Sequence, residues 1–444
     1  MLASPPAAEM LSSPPGRRVL VWATIAVLAG AFYCIEHNAQ VSTLKAFTVT
    51  GDEMAERAAT GDAMRRLAVA AIALFGAALL IRRSGWPLEI HSLTAWLALA
   101  YLAWCGMTIL WSDDPSLTLR HFGVLLFCGI GALGIARQLA LNDLCLVTLG
   151  VTAILIANGV RTEIALGTFQ PLSSEYRFAG TLHPNLQASY CATMALSAAF
   201  VASHVKRGRT LAWLLCAAGV VLLLLTKSRT VCAAFLAGLL AYGWLTVSPR
   251  NKAMVVATAV SLGCALGLAA ALLGSDLERS FANAALLGRP DEADSLSGRV
   301  PLWTELVPHV GQRLLLGHGY LTFWSPQRIE SFSSVYQWTV PDGHCAYLDM
   351  LLDLGVIGGA LCVATVVLCI REVRSRVLAG GGYGYGFLFA LLACRALNAC
   401  LESSVMTPTS CVPFLMVCCL LHVVFCRCPD RFPSPESPTQ EAPR

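Results

Sequence analysis

Apolar segments long enough to cross a lipid bilayer recur along the whole sequence. A membrane-spanning helix needs about 20 mainly apolar residues, and about twelve segments approach that length. Apolar residues make up 56% of the chain and charged residues only 13%, so a soluble protein of this length would lack polar surface. The pattern predicts an all-α polytopic membrane protein. The predicted spans are residues 19–34, 67–81, 90–111, 119–139, 143–160, 186–203, 211–226, 229–247, 253–273, 344–370, 384–400 and 408–426.

Basic residues fall at alternate connections between these spans. Because short cytoplasmic connections carry an excess of Lys and Arg, both termini are predicted to be cytoplasmic. The connection 35–66 does not fit the pattern, since it ends in two arginines although the span count places it outside. The basic residues on the predicted cytoplasmic side are Arg17, Arg18, Arg82, Arg83, Arg137, Lys206, Arg207, Arg209, Arg250, Lys252, Arg371, Arg374, Arg376, Arg427 and Arg431.

The two ends of the chain differ from its centre. Arg17 and Arg18 precede an apolar stretch that lacks a clear small-residue cleavage site, so the first span is predicted to be a retained anchor. The Pro- and Ser-rich segments 1–16 and 432–444 are predicted to be disordered cytoplasmic tails. Residues 17–431 are predicted to form one transmembrane domain, which carries a long outer loop at 274–343.

Charge and cysteine content exclude several other classes of protein. The net charge of +4 is dispersed among the loops, whereas a nucleic-acid-binding protein has a concentrated basic face. Most of the 18 cysteines lie within apolar runs, where cysteine behaves as a small hydrophobic residue. No zinc-binding spacing is present, and a disulfide framework is not predicted.

The outer segment 161–185 is one of the polar connections that could carry chemistry. Arginine in hydrocarbon is costly, so Arg177 must meet water, headgroup phosphate or an anionic ligand. Gly180 permits a turn, and Asn185 is predicted to cap the next helix. A helix start beside an arginine is an anion site. In the simpler interpretation, Asn185 only caps the helix and Arg177 only meets lipid headgroups.

A short corner at 226–230 places Lys227 and Arg229 at the start of a predicted helix. The helix dipole favours anions at that end, so these cations require an anionic partner. That partner is either a headgroup phosphate or a substrate phosphate.

The long loop 274–343 combines an arginine with several aromatic residues. Arg299, Pro301 and Trp303 begin a predicted amphipathic helix that lies along the membrane surface, with Pro301 in its first turn. Its apolar face is most simply a membrane anchor. Further aromatic residues either stack on sugar rings or belong to the interfacial belt. These are Tyr320, Phe323, Trp324, Tyr336 and Trp338.

His344 follows this loop directly and precedes the next predicted span. Imidazole is the usual group that accepts a proton at neutral pH, although a single histidine at a helix start is often a structural residue. A metal site is the alternative, because this region also holds His309, His318, Glu305 and Asp342 beside His344, but the spacings match no compact ligand pattern. No metal and no cofactor are predicted.

Several short motifs, taken in order, resemble the O-antigen ligase and polymerase superfamily of bacterial envelope glycosyltransferases, especially its exopolysaccharide polymerase branch. The resemblance covers most of the chain. Its pieces are Trp111 to Pro115 with Arg120, Arg177 to Asn185, Ser228 to Thr230, Gly298 and Arg299 with Trp303, Gly317 to Tyr320, His344 to Asp349, Gly355 to Gly358, and Asn398 to Ser403. One position departs from the family pattern, because Cys345 stands where asparagine commonly follows the histidine.

The resemblance implies a GT-C-like helical fold that transfers a glycan from undecaprenyl diphosphate at the outer face of the bacterial inner membrane. Polymerisation is favoured over ligation to the lipid A core. A chain-length regulator and a flippase are further implied partners. His344 would be the catalytic base, and Arg177, Arg229 and Arg299 would bind the diphosphate without a metal. The residues assigned to sugar or acceptor contacts are Asn185, Trp303, Tyr320, Tyr347, Asn398 and Glu402.

Two hypotheses from other classes stay open at this stage. A transporter or flippase of lipid-linked oligosaccharides would also use many spans and outward-facing arginines. Transport requires polar access from both sides, yet Arg395 and Asn398 are the polar residues noted within the spans. A noncatalytic scaffold in an envelope assembly would not require His344.

Overall fold

The computed structural model describes residues 15–37, 63–90, 92–173, 175–248, 251–252, 298–336, 339–403 and 407–426. These residues form helices joined by turns and short loops. The helices are α1 (Pro15–Phe32), α2 (Ala63–Ile81), α3 (Leu93–Met107), α4 (Pro115–Gln138), α5 (Leu141–Ala165), α6 (Pro184–His204), α7 (Arg209–Leu225), α8 (Arg229–Thr246), α9 (Arg299–Gln312), α10 (Pro326–Tyr336), α11 (Ala346–Leu378), α12 (Tyr383–Asn398) and α13 (Cys411–Phe425).

The predicted all-α polytopic class is confirmed. Within the described ranges, 8 helices are long and apolar enough to cross a membrane, and α7 and α13 are shorter apolar helices. Each predicted span within the described ranges coincides with a helix. The predicted span 253–273 and the predicted tails lie outside those ranges, except that residues 15 and 16 of the first tail begin α1. The amphipathic helix predicted to begin at Arg299 is α9, and Pro301 lies in its first turn. Its buried apolar residues Leu302 and Leu306 pack against Phe323 and Phe332, so they do not form the predicted membrane anchor.

The connections that the charge pattern assigns to the outer side lie together at one end of the helical bundle, which we call the site end. There, Arg65 donates a hydrogen bond to Thr409, and His37 bonds to Thr181. Arg65 belongs to the connection that did not fit the charge pattern. At the opposite end, Arg17 pairs with Asp143. Connections predicted to lie on opposite sides of the membrane therefore lie at opposite ends of the bundle.

Small residues allow the helices to approach closely. α2 packs along α4, and a Cβ on Gly134 would overlap the Gly76 carbonyl. Such contacts between small residues are the usual way for helices to associate in lipid, where no hydrophobic force drives them together. The largest apolar core fills the space among α1, α5, α6, α12 and α13. The bundle thus provides a rigid base for the loops at its site end.

Asp113, between α3 and α4, fastens the segment that contains α9 and α10 to the bundle. Its carboxylate accepts from Arg313 Nη2 at 2.8 Å, from His318 Nδ1 at 2.9 Å and from Arg328 Nη2 at 2.9 Å. Desolvation raises the pKa of Asp113, but the hydrogen bonds from His318 and Arg328 outweigh it and the net pKa is lowered. The carboxylate is therefore ionised at neutral pH. We call Asp113 and its three partners the loop latch.

We expect Asp113→Ala to loosen this segment, because two guanidinium groups and the His318 ring lose their acceptor. Hydrogen bonds to charged groups are each worth about 1.5–3 kcal/mol, and partial exposure of the latch reduces that figure. The thermal unfolding midpoint of the purified protein should fall, and trypsin should cleave the segment faster. Asp114→Asn is the matched control, since asparagine retains the cap that Asp114 gives to α4. An unchanged cleavage rate in Asp113→Ala would contradict the latch.

Candidate functional site

The candidate site forms where α6, α8 and α11 begin and α12 ends. Ala346 N donates to Ala399 O at 2.9 Å, which joins the start of α11 to the segment after α12. Asn185, in the first turn of α6, donates from Nδ2 to Glu402 Oε1 at 2.7 Å. Segments more than 200 residues apart in the sequence therefore meet around Glu402.

Glu163, near the end of α5, folds the loop that carries Arg177. Its Oε1 accepts from Ala179 N at 3.0 Å and from Gly180 N at 2.6 Å. Gly180 has a φ of +61°, a conformation that glycine adopts without strain. The loop then runs beside the corner between α7 and α8, where Arg177 Nε donates to Thr226 O at 3.1 Å. Arg177 is thus held next to the turn that leads to Arg229.

The cap of α6 corrects one prediction. Asn185 does not cap the helix, because the N-cap residue is His183, whose Nδ1 accepts from Asn185 N at 3.3 Å. Pro184 takes the first helical position, which suits its fixed φ and missing N–H group. The Asn185 side chain is consequently available for Glu402.

His344 lies on a tightly fixed turn. Its φ is +50°, which is uncommon for a residue with a Cβ and is often found at functional positions. Asp342 Oδ1 accepts from His344 N at 2.9 Å and lies 3.3 Å from His344 Nδ1. Gly343 N donates to Asp349 Oδ1 at 3.0 Å, and Gly343 O accepts from Trp303 Nε1 at 2.8 Å. These bonds fix the backbone on both sides of the imidazole.

Glu402 links the long loop to α6. Arg299 Nη2 lies 3.2 Å from Glu402 Oε1, and the two side chains are only 12% and 13% exposed. Desolvation raises the pKa of Glu402, while the charges of Arg299 and His344 oppose that rise. His344 is therefore near this ion pair. Glu402 connects Arg299, Asn185 and the His344 turn in one cluster.

His183 marks the point around which the predicted charged residues gather. Desolvation, together with the charges of Arg177, His344 and Arg299, lowers the pKa of His183 to about 4. The ring is nevertheless accessible to solvent. Arg177, Arg299 and His344 come from three separate loops, yet the charge of each lowers the pKa of this ring. We call this group, together with Asn185, Asp342 and Glu402, the polar cluster.

Arg229 is the first residue of α8 and lies at the same end of the bundle. α8 packs antiparallel to α12, since Gly238 faces Cys394 and Gly386 faces Tyr242. This packing brings the start of α8 towards the end of α12. Arg229 is half-buried.

Four residues predicted to contact the sugar or the acceptor differ in how exposed their side chains are. Trp303 supports the His344 turn, and the exposed Tyr347 donates from its hydroxyl to Ala396 O at 2.9 Å. Asn398 is buried within α12. Tyr320 is a correction, because it is 4% exposed and packs among Cys105, Met350 and Leu354 of a satellite core.

Other aromatic and charged residues of the prediction lie outside the polar cluster. Phe323 is fully buried, and Trp324 donates from Nε1 to Asp349 Oδ1 at 2.8 Å. Arg120 is exposed on the first turns of α4, and its charge contributes to lowering the pKa of Asp114. Trp338 lies outside the described residues. In the described part of the chain, no three His, Cys, Asp or Glu side chains are grouped as metal ligands would be.

Sequence reasoning did not assign roles to His183, Asp342 or Glu163. His183 lies within the motif Arg177 to Asn185, but Asn185 was predicted to cap the helix that follows. Asp342 lies two residues before His344, a separation at which a side chain can return to the backbone of the histidine. Glu163 left no local signal, because its partners follow it by 16 and 17 residues.

Comparison with known proteins agrees with the predicted resemblance. Residues 188–363 match the family model described as O-antigen ligase. The chain resembles that family. It is also 25% identical over 355 residues to the exopolysaccharide production protein ExoQ of Rhizobium meliloti (strain 1021), which covers 71% of this chain and 74% of that protein. The predicted resemblance to the O-antigen ligase and polymerase superfamily is confirmed.

The matched segment includes only part of the polar cluster. It contains Arg299, Asp342 and His344 of the cluster, but it begins after Asn185 and ends before Glu402. The cluster therefore draws on residues from both sides of the family match. The similarities support a function of the O-antigen ligase or polymerase type in surface polysaccharide synthesis, carried out by a multi-pass membrane protein.

The lowered pKa of His183 predicts a pH dependence of stability. The folded ring gains its proton near a pH of about 4, whereas a free histidine does so near a pH of about 6.5. Below about 6.5 the unfolded chain therefore binds a proton that the folded protein excludes, and stability falls as the pH decreases towards 4. We expect His183→Asn, which retains a capping side chain, to lose less stability between pH 7 and pH 5. Thermal unfolding at both pH values measures this, and equal losses in wild type and variant would contradict it.

Proposed function

We propose that this protein is an inverting, metal-independent glycosyltransferase that transfers a glycan from undecaprenyl diphosphate to a sugar hydroxyl. The observation that carries the proposal is the gathering of Arg177, Arg299 and His344 around His183. Cations from separate loops beside one imidazole suit a reaction in which a diphosphate leaves and a base accepts a proton. The similarity to O-antigen ligases supports the same reaction class.

The arginines would stabilise the leaving group. When the bond between the anomeric carbon and the diphosphate oxygen breaks, negative charge develops on the phosphate oxygens. Fixed cations that face this charge lower the barrier because they need no reorganisation during the reaction. A planar guanidinium also matches two phosphate oxygens at once. We assign this role to Arg177, Arg229 and Arg299.

His344 would act as the base. Its imidazole accepts the proton of the acceptor hydroxyl while that oxygen attacks the anomeric carbon from the face opposite the diphosphate. One carbon–oxygen bond forms and one breaks, so the anomeric configuration inverts and undecaprenyl diphosphate leaves. A positioned base of this kind contributes about 10²- to 10⁴-fold. The bond to the diphosphate supplies the driving force, so no nucleotide is required.

The proposed location follows from the charge pattern. The excess of basic residues at the end opposite the polar cluster favours a cytoplasmic position for that end and for both termini. The polar cluster would then face the periplasm from the bacterial inner membrane, where the carrier lipid presents its glycan. The lipid chain would lie between helices. A flippase that supplies the donor and a chain-length regulator are the proteins with which this enzyme would cooperate.

We favour polymerisation of a lipid-linked repeat over ligation to the lipid A core. The similarity to an exopolysaccharide production protein supports this preference. Membrane extracts from cells with and without the gene distinguish the two. Loss of the polymer ladder on the carrier lipid indicates a polymerase, whereas intact polymer that stays on its carrier indicates a ligase.

The purified protein tests the reaction itself. Incubation with a glycan on undecaprenyl diphosphate and a sugar acceptor should give a longer glycan and free undecaprenyl diphosphate. A protein that only moves the donor between the leaflets of a vesicle, without forming a new glycosidic bond, would be a flippase and would overturn the proposal.

A further inference from the structure

Two polar side chains in α12 are buried, and several of their polar atoms lack a hydrogen-bond partner within the part of the chain that the structure describes. Arg395 is 3% exposed and Asn398 is 1% exposed. Arg395 Nε and Nη2, and Asn398 Nδ2 and Oδ1, have no partner among the described residues. A charged group at membrane depth is costly, and buried polar groups in proteins are nearly always paired. Such residues therefore indicate a ligand that the protein receives at this position.

Their place in the fold is close to the polar cluster. Arg395 and Asn398 are three residues apart, so they lie on the same side of α12. Tyr347, in the first turn of α11, bonds to Ala396 O at 2.9 Å, which joins the two helices at this level. Arg395 also interacts electrostatically with Glu402. The pair therefore lies beside the polar cluster on its membrane side.

Glu402 is not the hydrogen-bond acceptor of the unpaired Arg395 atoms. Its carboxylate bonds to Arg299 and Asn185, whereas the free Nε and Nη2 of Arg395 have no acceptor within the described ranges. A guanidinium with two free donors suits a phosphate group, which presents several acceptor oxygens. The neighbouring amide of Asn398 can add a further donor.

Resting on the function proposed above, we propose that Arg395 and Asn398 bind the phosphate nearest the lipid chain of a polyprenyl diphosphate. Arg177, Arg229 and Arg299 would then hold the phosphate nearest the sugar. The division follows the depth of the groups, because the lipid-proximal phosphate enters on the membrane side of the polar cluster. Two phosphates thus have two separate sets of donors.

The test uses full-length protein in phosphatidylcholine nanodiscs and undecaprenyl monophosphate as the probe, since this lipid carries only the lipid-proximal phosphate. Loss of charged hydrogen bonds in Arg395→Gln should weaken binding about tenfold to a hundredfold. Asn398→Ala should weaken it by a smaller factor. Arg376→Gln is the control, because Arg376 is half-buried on α11 at the opposite end and pairs with Glu372. Its binding should equal that of wild type.

Each alternative outcome has a defined meaning. Wild-type affinity in Arg395→Gln would overturn the inference. So would equal displacement of the probe by phosphatidylglycerol or by inorganic phosphate, since the site would then not select the carrier lipid. If Arg395→Gln does not fold, Arg395→Lys and Asn398→Ala decide, and unchanged affinity in both would overturn the inference.

The two proposals fail in different ways. If wild type transfers glycan while Arg395→Gln binds and transfers equally well, only this inference fails. If wild type neither binds undecaprenyl lipids nor forms a glycosidic bond, the proposed function itself fails.

Discussion

Replacing His344 by alanine is expected to lower the rate of glycan transfer by about 10²- to 10⁴-fold, which is the usual contribution of a positioned base. Without the imidazole, the acceptor hydroxyl would have to lose its proton to water while it attacks. Binding of the donor should change little, because the diphosphate is assigned to the arginines. Transfer by purified protein and affinity for undecaprenyl diphosphate are the two measurements.

The matched control for this variant is His204→Ala. His204 ends α6 at the opposite end of the bundle, where its ring stacks on Tyr383. Its replacement should leave transfer unchanged, and both variants should insert into the membrane normally. Full transfer activity in His344→Ala would falsify the assignment of this residue as the base.

Replacing Arg299 by alanine is expected to lower transfer by about 10²- to 10³-fold, as loss of one donor to a developing negative charge does in other enzymes. Arg299→Lys should recover only part of this loss, because a single ammonium cannot bind two oxygens as a planar guanidinium does. Arg161→Ala is the control, since Arg161 is exposed, lies near the end of α5 and bonds to Asn158. Equal activity with lysine and arginine would show that charge alone is sufficient.

Arg299 also stabilises the fold through Glu402, so its two roles must be separated. Arg299→Ala leaves a largely buried carboxylate without its cation, which is destabilising. The double variant Arg299→Ala with Glu402→Gln removes that charge as well. We expect the thermal unfolding midpoint to recover in the double variant while transfer stays low. Recovery of both quantities together would indicate a structural role alone.

Much of the fold could be predicted because membrane spans leave a local signal. A run of about 20 apolar residues is visible in any window of the sequence, and basic residues mark alternate connections. The helix at Arg299 was predicted for a similar reason, since Pro301 and apolar residues at helical spacing are close neighbours in the chain. Exact helix ends were harder, as the cap of α6 at His183 demonstrates.

The site was predicted in part, and what was missed depends on distant contacts. Glu163 folds the Arg177 loop, and Asp113 holds the segment around α9, yet neither residue carries a motif that indicates its partners. Tyr320 was assigned to sugar because exposed aromatics suit sugar rings. The structure buries it instead, since its backbone N–H donates to the side chain of Thr108, which directly follows α3 and lies 212 residues away in the sequence. Sequence spacing cannot show such a contact.

The loop latch has a consequence for how the polypeptide can be divided. The segment that resembles O-antigen ligases begins well after Asp113, yet this carboxylate holds the loop that delivers Arg299. Glu402, which pairs with that arginine, follows the segment. A fragment restricted to the recognisable ligase segment would therefore lack the anchoring residues at both borders. Exchange of parts between related enzymes should transplant the flanking helices together with the central segment.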